Sequence, residues 1–250
     1  MVLLLTLFTL AVVAFTSPVT GDDYKSEREL RRDIFRDYDK IARPVKRSST
    51  TIRANFSMVP LSLRSMNEKD QLISMDTWIM VRWTDEYLQW DPKEYDNITE
   101  LRIPPSEIWK PEIALYTASP DTSLFPVVET QALVYHNGVI LWVPPFTINS
   151  RCPIPFRHSV SASRTFVECN IRFGSWTYSG KELDLQLSTD KVDLTNFQDY
   201  NSEWKLVKVV SNRESKYYPC CVEDYPLIHV NVTLKRRDSG LFLNSKAHSL

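Results

Sequence analysis

Glycine is scarce in this chain, at five residues in 250. There is no GxGxxG and no Walker-type loop, so a Gly-rich phosphate-binding enzyme is disfavoured. Histidine and cysteine are equally sparse, at four each. His136, His158, His229 and His248 show no metal-ligand spacing, and no CxxC occurs; neither a metal nor a cofactor is expected. GxSxG and HExxH are missing as well, and neighbouring carboxylates such as Asp85-Glu86 and Glu223-Asp224 read as solvated pairs. The chain is not expected to be an enzyme. It also has no excess of charge: 30 Lys+Arg stand against 31 Asp+Glu, a formal net charge of −1. That balance argues against nucleic-acid partners and against a polybasic membrane arm. A small ligand stays open.

Long hydrophobic runs are confined to one place. Val2 to Phe15 is uncharged and apolar, but at about 14 residues it is too short to span a bilayer comfortably. With the small-residue exit through Val19-Thr20-Gly21, residues 1–21 read as a secretory signal peptide. The tail 238–250 is polar and expected to be flexible. The mature chain is therefore expected to be secreted and extracellular, with no membrane span. In an oxidising compartment four cysteines form two disulfides, with three connectivities open. Cys152 and Cys169 enclose sixteen residues, while Cys220 and Cys221 are adjacent. From spacing alone, bridges from the adjacent pair to Cys152 and Cys169 are the plain expectation, because neighbouring cysteines close a strained small ring. Sequons at Asn55, Asn97 and Asn231 are candidates for glycosylation.

What is present is a core's worth of apolar residues, 43 %, with fifteen Pro, seven Trp, eleven Tyr and eleven Phe. From Asp22 to about Ala42 the pattern is helical: Leu30, Ile34, Phe35, Tyr38 and Ile41 recur at three- and four-residue spacing. Ser26 with Glu29 forms a capping-box pattern, and Pro44 closes the segment. Beyond it the period is two. Ile228, Val230, Val232 and Leu234 alternate with polar residues, as do Leu183, Leu185 and Leu187. Trp78, Met80 and Arg82 alternate with Thr77, Ile79, Val81 and Trp83. Such runs between Pro-rich and polar turns indicate an antiparallel β-sandwich or barrel, one domain after one helix. The hairpin at Asn137-Gly138 has two candidate registers. A two-residue loop pairs Val134 with Leu141; a three-residue loop with Gly138 left-handed pairs Leu133 with Leu141 and puts Gln131, Leu133, Leu141 and Val143 on one face.

The unusual feature is aromatic residues beside turns: Trp78, Tyr116, Trp176, Tyr218 and Tyr225. Each alone is ordinary β core. Together they form a set of π faces suited to a cation, an attraction worth about 0.5–1 kcal/mol exposed and about 2 or more when desolvated. The ordered motifs Trp78 with Trp83-Thr84-Asp85-Glu86-Tyr87-Leu88-Gln89-Trp90, Trp109-Lys110-Pro111 with Tyr116, Gly174-Ser175-Trp176-Thr177-Tyr178, and Tyr218-Pro219-Cys220-Cys221 with Tyr225 span nearly the whole mature chain. In these the chain resembles the acetylcholine-binding proteins, soluble relatives of the ligand-binding domain of Cys-loop (nicotinic) receptors.

The resemblance implies a mainly β fold over residues 22–237: an N-terminal helix and a ten-stranded immunoglobulin-like sandwich, assembled as a homopentameric ring. It implies that acetylcholine and nicotine-like amines bind between subunits. The principal face would supply Tyr116, Ser175, Trp176, Tyr218, Cys220, Cys221 and Tyr225, and the complementary face Trp78, Met80, Leu133, Leu141 and Val143. It favours the three-residue hairpin register. It replaces the plain cysteine expectation with Cys152–Cys169 and a vicinal Cys220–Cys221 bridge. The chain also departs from the family pattern. Sixteen residues rather than thirteen lie between Cys152 and Cys169, and polar Arg157, His158, Ser159 and Ser161 replace an apolar tip. Arg172 has lost the acidic partner expected after Tyr225, where Leu227 and Ile228 stand. Glu112 replaces an aspartate and is expected to brace the Trp176 loop, and Asp193 is placed weakly near the complementary side.

Overall fold

A computed structural model describes residues 25–120, 123, 125–126, 128, 130–154, 166–189 and 191–237. The expected signal segment 1–21, the tail 238–250, and Arg157, His158, Ser159 and Ser161 lie outside the described residues. One helix, α1 (Glu27–Phe35), precedes eleven strands: β1 (Ile52–Asn67), β2 (Leu72–Gln89), β3 (Glu100–Ile103), β4 (Ile113–Leu115), β5 (Ala132–Tyr135), β6 (Asn137–Trp142), β7 (Pro145–Arg151), β8 (Phe166–Ser175), β9 (Leu183–Leu187), β10 (Trp204–Tyr217) and β11 (Asp224–Arg236).

The capping box forms as read. The Ser26 hydroxyl accepts from the Glu29 amide, and the Ser26 amide donates to the Glu29 carboxylate at 2.8 Å. The helix is shorter than its periodicity suggests. It stops at Phe35 because Tyr38 has a better partner elsewhere: its hydroxyl donates to Asp85 Oδ2 at 2.6 Å and accepts from the Trp109 amide at 3.0 Å. A hydrogen bond to a charged group contributes about 1.5–3 kcal/mol, more than the helix propensity of a few residues. Ile41, expected on the apolar face, is instead 78 % exposed.

The strands form two sheets. The seven-stranded sheet runs β3-β5-β6-β2-β1-β9, with β7 also on β2, and the four-stranded sheet runs β10-β11-β8-β4. The β1–β9 pair is parallel; the others are antiparallel. On β2, Leu72 faces Arg151 and Trp78 faces Pro145 of β7, while Val81 faces Trp142 of β6, all in one unshifted register. The Ile79 amide bonds the Pro144 carbonyl across the break. Prolines 144 and 145 lack the amide a continuous ladder needs, so one long strand is divided in two. Counted as one, the sandwich has the ten strands of the resemblance.

The core lies between the sheets. Phe56 and Phe173 meet across it with ring centroids 4.8 Å apart, and Trp83 and Trp204 are buried. Cys152, just past β7, is bonded to Cys169 on β8, so this bridge ties one sheet to the other. Cys220 is bonded to Cys221. Both pairs follow the resemblance and overturn the spacing-based expectation. The hairpin takes the three-residue register: Leu133 faces Leu141, and Gly138 has φ +81°. A Cβ there would lie 2.3 Å from the Asp85 carbonyl oxygen, so the turn needs glycine twice over. Among the described residues, no helix is long and apolar enough to cross a membrane.

Candidate functional site

Tyr116 leaves the end of β4, its amide bonded to the Arg172 carbonyl at 2.8 Å. Its ring lies over Gly174 of β8, where a Cβ would fall 3.3 Å from the Tyr116 Cζ and 2.5 Å from the Leu227 side chain. Trp176 follows the last residue of β8 and meets Tyr116 edge to face, centroids 5.6 Å apart at 75°. The Tyr116 hydroxyl donates to the Ser175 carbonyl. Ser175 itself is buried, and its Oγ accepts from the Tyr178 amide at 3.0 Å, which shapes the turn that presents Trp176. Trp176 is 57 % exposed. An aromatic of that size left open, beside rings fixed by backbone contacts, offers its π face to solvent.

The other residues expected on the principal face come from β11 and the turn that leads into it from β10. Tyr218 and Tyr225 meet edge to face, centroids 5.5 Å apart at 75°. The Tyr225 hydroxyl lies 3.9 Å from Cys221 Sγ, so the vicinal disulfide sits beside the rings. Burial, then the neighbouring Tyr218, Glu112 and Tyr225, pushes the Tyr116 phenol up to about 12. All seven residues expected on the principal face thus gather at one end of the four-stranded sheet and its loops. The turn bearing the disulfide is tied to the Trp176 loop as well. The Gly180 amide bonds the Asp224 carbonyl at 2.8 Å, and Lys181 Nζ pairs with Glu223 Oε1 at 2.9 Å.

Glu112 braces the Trp176 loop as expected: its Oε2 accepts from the Thr177 amide at 3.1 Å and the Thr177 hydroxyl at 2.5 Å. Arg172 is exposed on β8, and its guanidinium makes no ion pair among the described residues, in keeping with its missing acidic partner. Asp193 is exposed and caps the Thr195 amide at 2.8 Å, a local bond that leads it to neither aromatic group.

Trp78, Met80, Leu133, Leu141 and Val143 collect on the outward face of the seven-stranded sheet. Leu133 faces Leu141, which faces Arg82; two residues along that register Met80 falls opposite Val143, and two further Trp78 faces Pro145. Trp78 is 38 % exposed, and the four aliphatic residues are half-buried. Among the described residues, no hydrogen bond, ion pair or ring contact joins this group to the aromatic group around Trp176. The two groups of residues thus belong to two different sheets and their loops.

Sequence reasoning missed a cleft of about 780 Å³, of mixed polar and apolar lining, that begins at Trp78 and runs along β1, β2 and β7 to Tyr200. The signal was the charged pair Arg64 and Asp76, set nearly symmetrically about the β1–β2 turn. It becomes readable only once that hairpin's register is known, with Asn67 facing Leu72.

Residues 27–238 match the family described as the neurotransmitter-gated ion-channel ligand binding domain. Acetylcholine receptor subunit alpha-L1 of Schistocerca gregaria is 34 % identical over 218 residues, covering 84 % of this chain and 38 % of that protein. The acr-16 alpha-type acetylcholine receptor subunit of Caenorhabditis elegans is 35 % identical over 211 residues, with 84 % and 41 % covered. Mouse neuronal acetylcholine receptor subunit alpha-6 is 35 % identical over 218 residues, with 85 % and 42 % covered. The chain thus spans about two-fifths of the length of the curated relatives it matches.

Proposed function

This chain belongs to the neurotransmitter-gated ion-channel ligand binding domain family, and from that premise we propose that it binds acetylcholine and other cationic nicotinic ligands between subunits of a secreted homopentamer. The observation that carries the reading is the group of Tyr116, Trp176, Tyr218 and Tyr225 against the Cys220–Cys221 disulfide, with the Trp176 face open. A quaternary ammonium seats against Trp176 and faces the tyrosine rings; a protonated amine also donates to the Trp176 backbone carbonyl. The turn bearing Cys220 and Cys221 closes over it. Trp78 and Met80 of a neighbouring subunit complete the cage, and Leu133, Leu141 and Val143 take the ligand's less polar end. The ring supplies what one chain lacks, because the two half-sites point from different sheets.

The test is a titration with acetylcholine, nicotine and a neutral isostere, followed by Trp fluorescence on material sized by light scattering. A mass of five chains and a response to the cations alone are expected. Trp176→Ala is expected to abolish the response while the particle keeps its mass. A monomer insensitive to every cation, or wild-type affinity in Trp176→Ala, sinks the reading.

A second reading, the ligand-binding portion of a longer channel subunit, is favoured by one observation: the match covers only 38–42 % of the relatives. Transcript sequence beyond the Leu250 codon decides between them: a run of membrane-spanning segments supports this second reading.

A further inference from the structure

The cleft below Trp78 is larger than a small ammonium needs. Its volume of about 780 Å³ falls in the range of sites for whole drug-sized ligands. Its floor is built rather than incidental. Asp76 of β2 accepts from three donors: Arg64 Nε at 2.8 Å and Ser62 Oγ at 3.1 Å, both on β1, and Thr147 Oγ1 of β7 at 2.8 Å. Burial works to raise the Asp76 pKa, but bonds from Arg64, Thr147 and Ser62 outweigh it and hold the carboxyl below its ordinary value. A charged Asp76 fixes the guanidinium of Arg64 from one side.

That leaves the guanidinium mostly uncommitted. Arginine carries five N–H donors, and only the Nε–H of Arg64 is taken among the described residues. The four remaining donors belong to a side chain that lines the cleft and is 58 % exposed. Asn149, Gln198 and Tyr200 add neutral polar groups around it. A guanidinium held by one carboxylate and presenting its outer edge is shaped to take a second carboxylate by paired hydrogen bonds. Asp76 and Trp78 stand two positions apart on β2, roughly 7 Å along the strand. The two ends of the cleft therefore ask for opposite charges at a definite spacing.

We propose that the cleft is the tail subsite of the aromatic site, and that the ligand class it selects is zwitterionic: an ammonium at Trp78 and a carboxylate at Arg64, roughly 7–10 Å apart. This rests on the reading of Trp78 as part of the cation site. A second cation in the tail is disfavoured by the same guanidinium.

Succinylmonocholine, which carries one ammonium and one carboxylate, tests this against its methyl ester and acetylcholine. On the wild-type protein the acid is expected to bind about tenfold more tightly than the ester, the lower end of what a charged hydrogen bond contributes. In Arg64→Gln the acid and ester are expected to bind alike, with acetylcholine within about twofold of wild type. Arg64→Lys, which keeps the charge but loses the fork, should retain part of the preference. Equal binding of acid and ester by the wild-type protein overturns the tail subsite without any variant. So does an unchanged acid-to-ester ratio in Arg64→Gln. If none of the three ligands binds the wild-type protein, the aromatic site itself has failed, a result distinct from loss of the acid preference alone.

Discussion

At Tyr116 one phenol reports on the packing of its neighbours. Burial, with Tyr218, Glu112 and Tyr225 nearby, raises it to about 12, against an ordinary value of 10.0. A raised phenol means the folded state holds its proton longer than the unfolded chain. The associated stability is therefore complete below pH 10 and is lost as pH climbs through 12. Phenolate absorbance followed from pH 9 to 13 should show a late step near 12 that Tyr116→Phe removes. Persistence of that step in Tyr116→Phe would mean that the ring packing around Tyr116 is wrong. Gly174 belongs to the same argument, since an added Cβ there would fall 2.5 Å from the Leu227 side chain and 3.3 Å from the Tyr116 ring, so the packing beneath that ring would have to shift.

Among the elements, what was legible in the sequence was what short-range chemistry decides. The Ser26–Glu29 cap and the alternation in β11 each depend on residues within a few positions of one another, whereas the turn at Gly138 was legible as a turn but its register was favoured only by the resemblance. The end of α1 was not legible, because Tyr38 is claimed by Asp85, 47 residues away. The cleft at Arg64 was not legible either, because it needs three strands paired in register before its parts meet. The principal-face aromatics were visible as an ordered set of motifs, although no periodicity placed them together. The sequons separate by element as well. Asn97 sits exposed in a turn at φ +57°. The amide of Asn231, on β11, is bound between Asn170 at 2.7 Å and Asn212 at 3.0 Å, and Asn55 lies mid-strand between β9 and β2. Expressed through a secretory pathway, the chain should lose one glycan step on a gel with Asn97→Gln and none with Asn55→Gln or Asn231→Gln. A step lost with Asn231→Gln would show that its ladder of amides is open during synthesis.

For the molecule as a whole, the two disulfides do different work. Cys152 and Cys169 are 17 positions apart and join the sheets, whereas Cys220 and Cys221 are one apart and close no chain loop. Loop closure of that size constrains the unfolded chain by about 3 kcal/mol. The double variant Cys152→Ser with Cys169→Ser should lower Tm by roughly 6–12 °C in calorimetry, while Cys220→Ser with Cys221→Ser should leave it near wild type. The reverse order would remove Cys152–Cys169 from its structural role. The placement of Trp78 and Trp176 on separate sheets has a further consequence under the proposed function. A ligand held between half-sites of two chains is a linkage term in assembly. At a concentration of 100 Kd each filled site adds about 2.7 kcal/mol to the ring and nothing to the separated chain. Dilution and ligand would then act as opposing variables: thinning the protein weakens apparent affinity, and adding amine restores the ring.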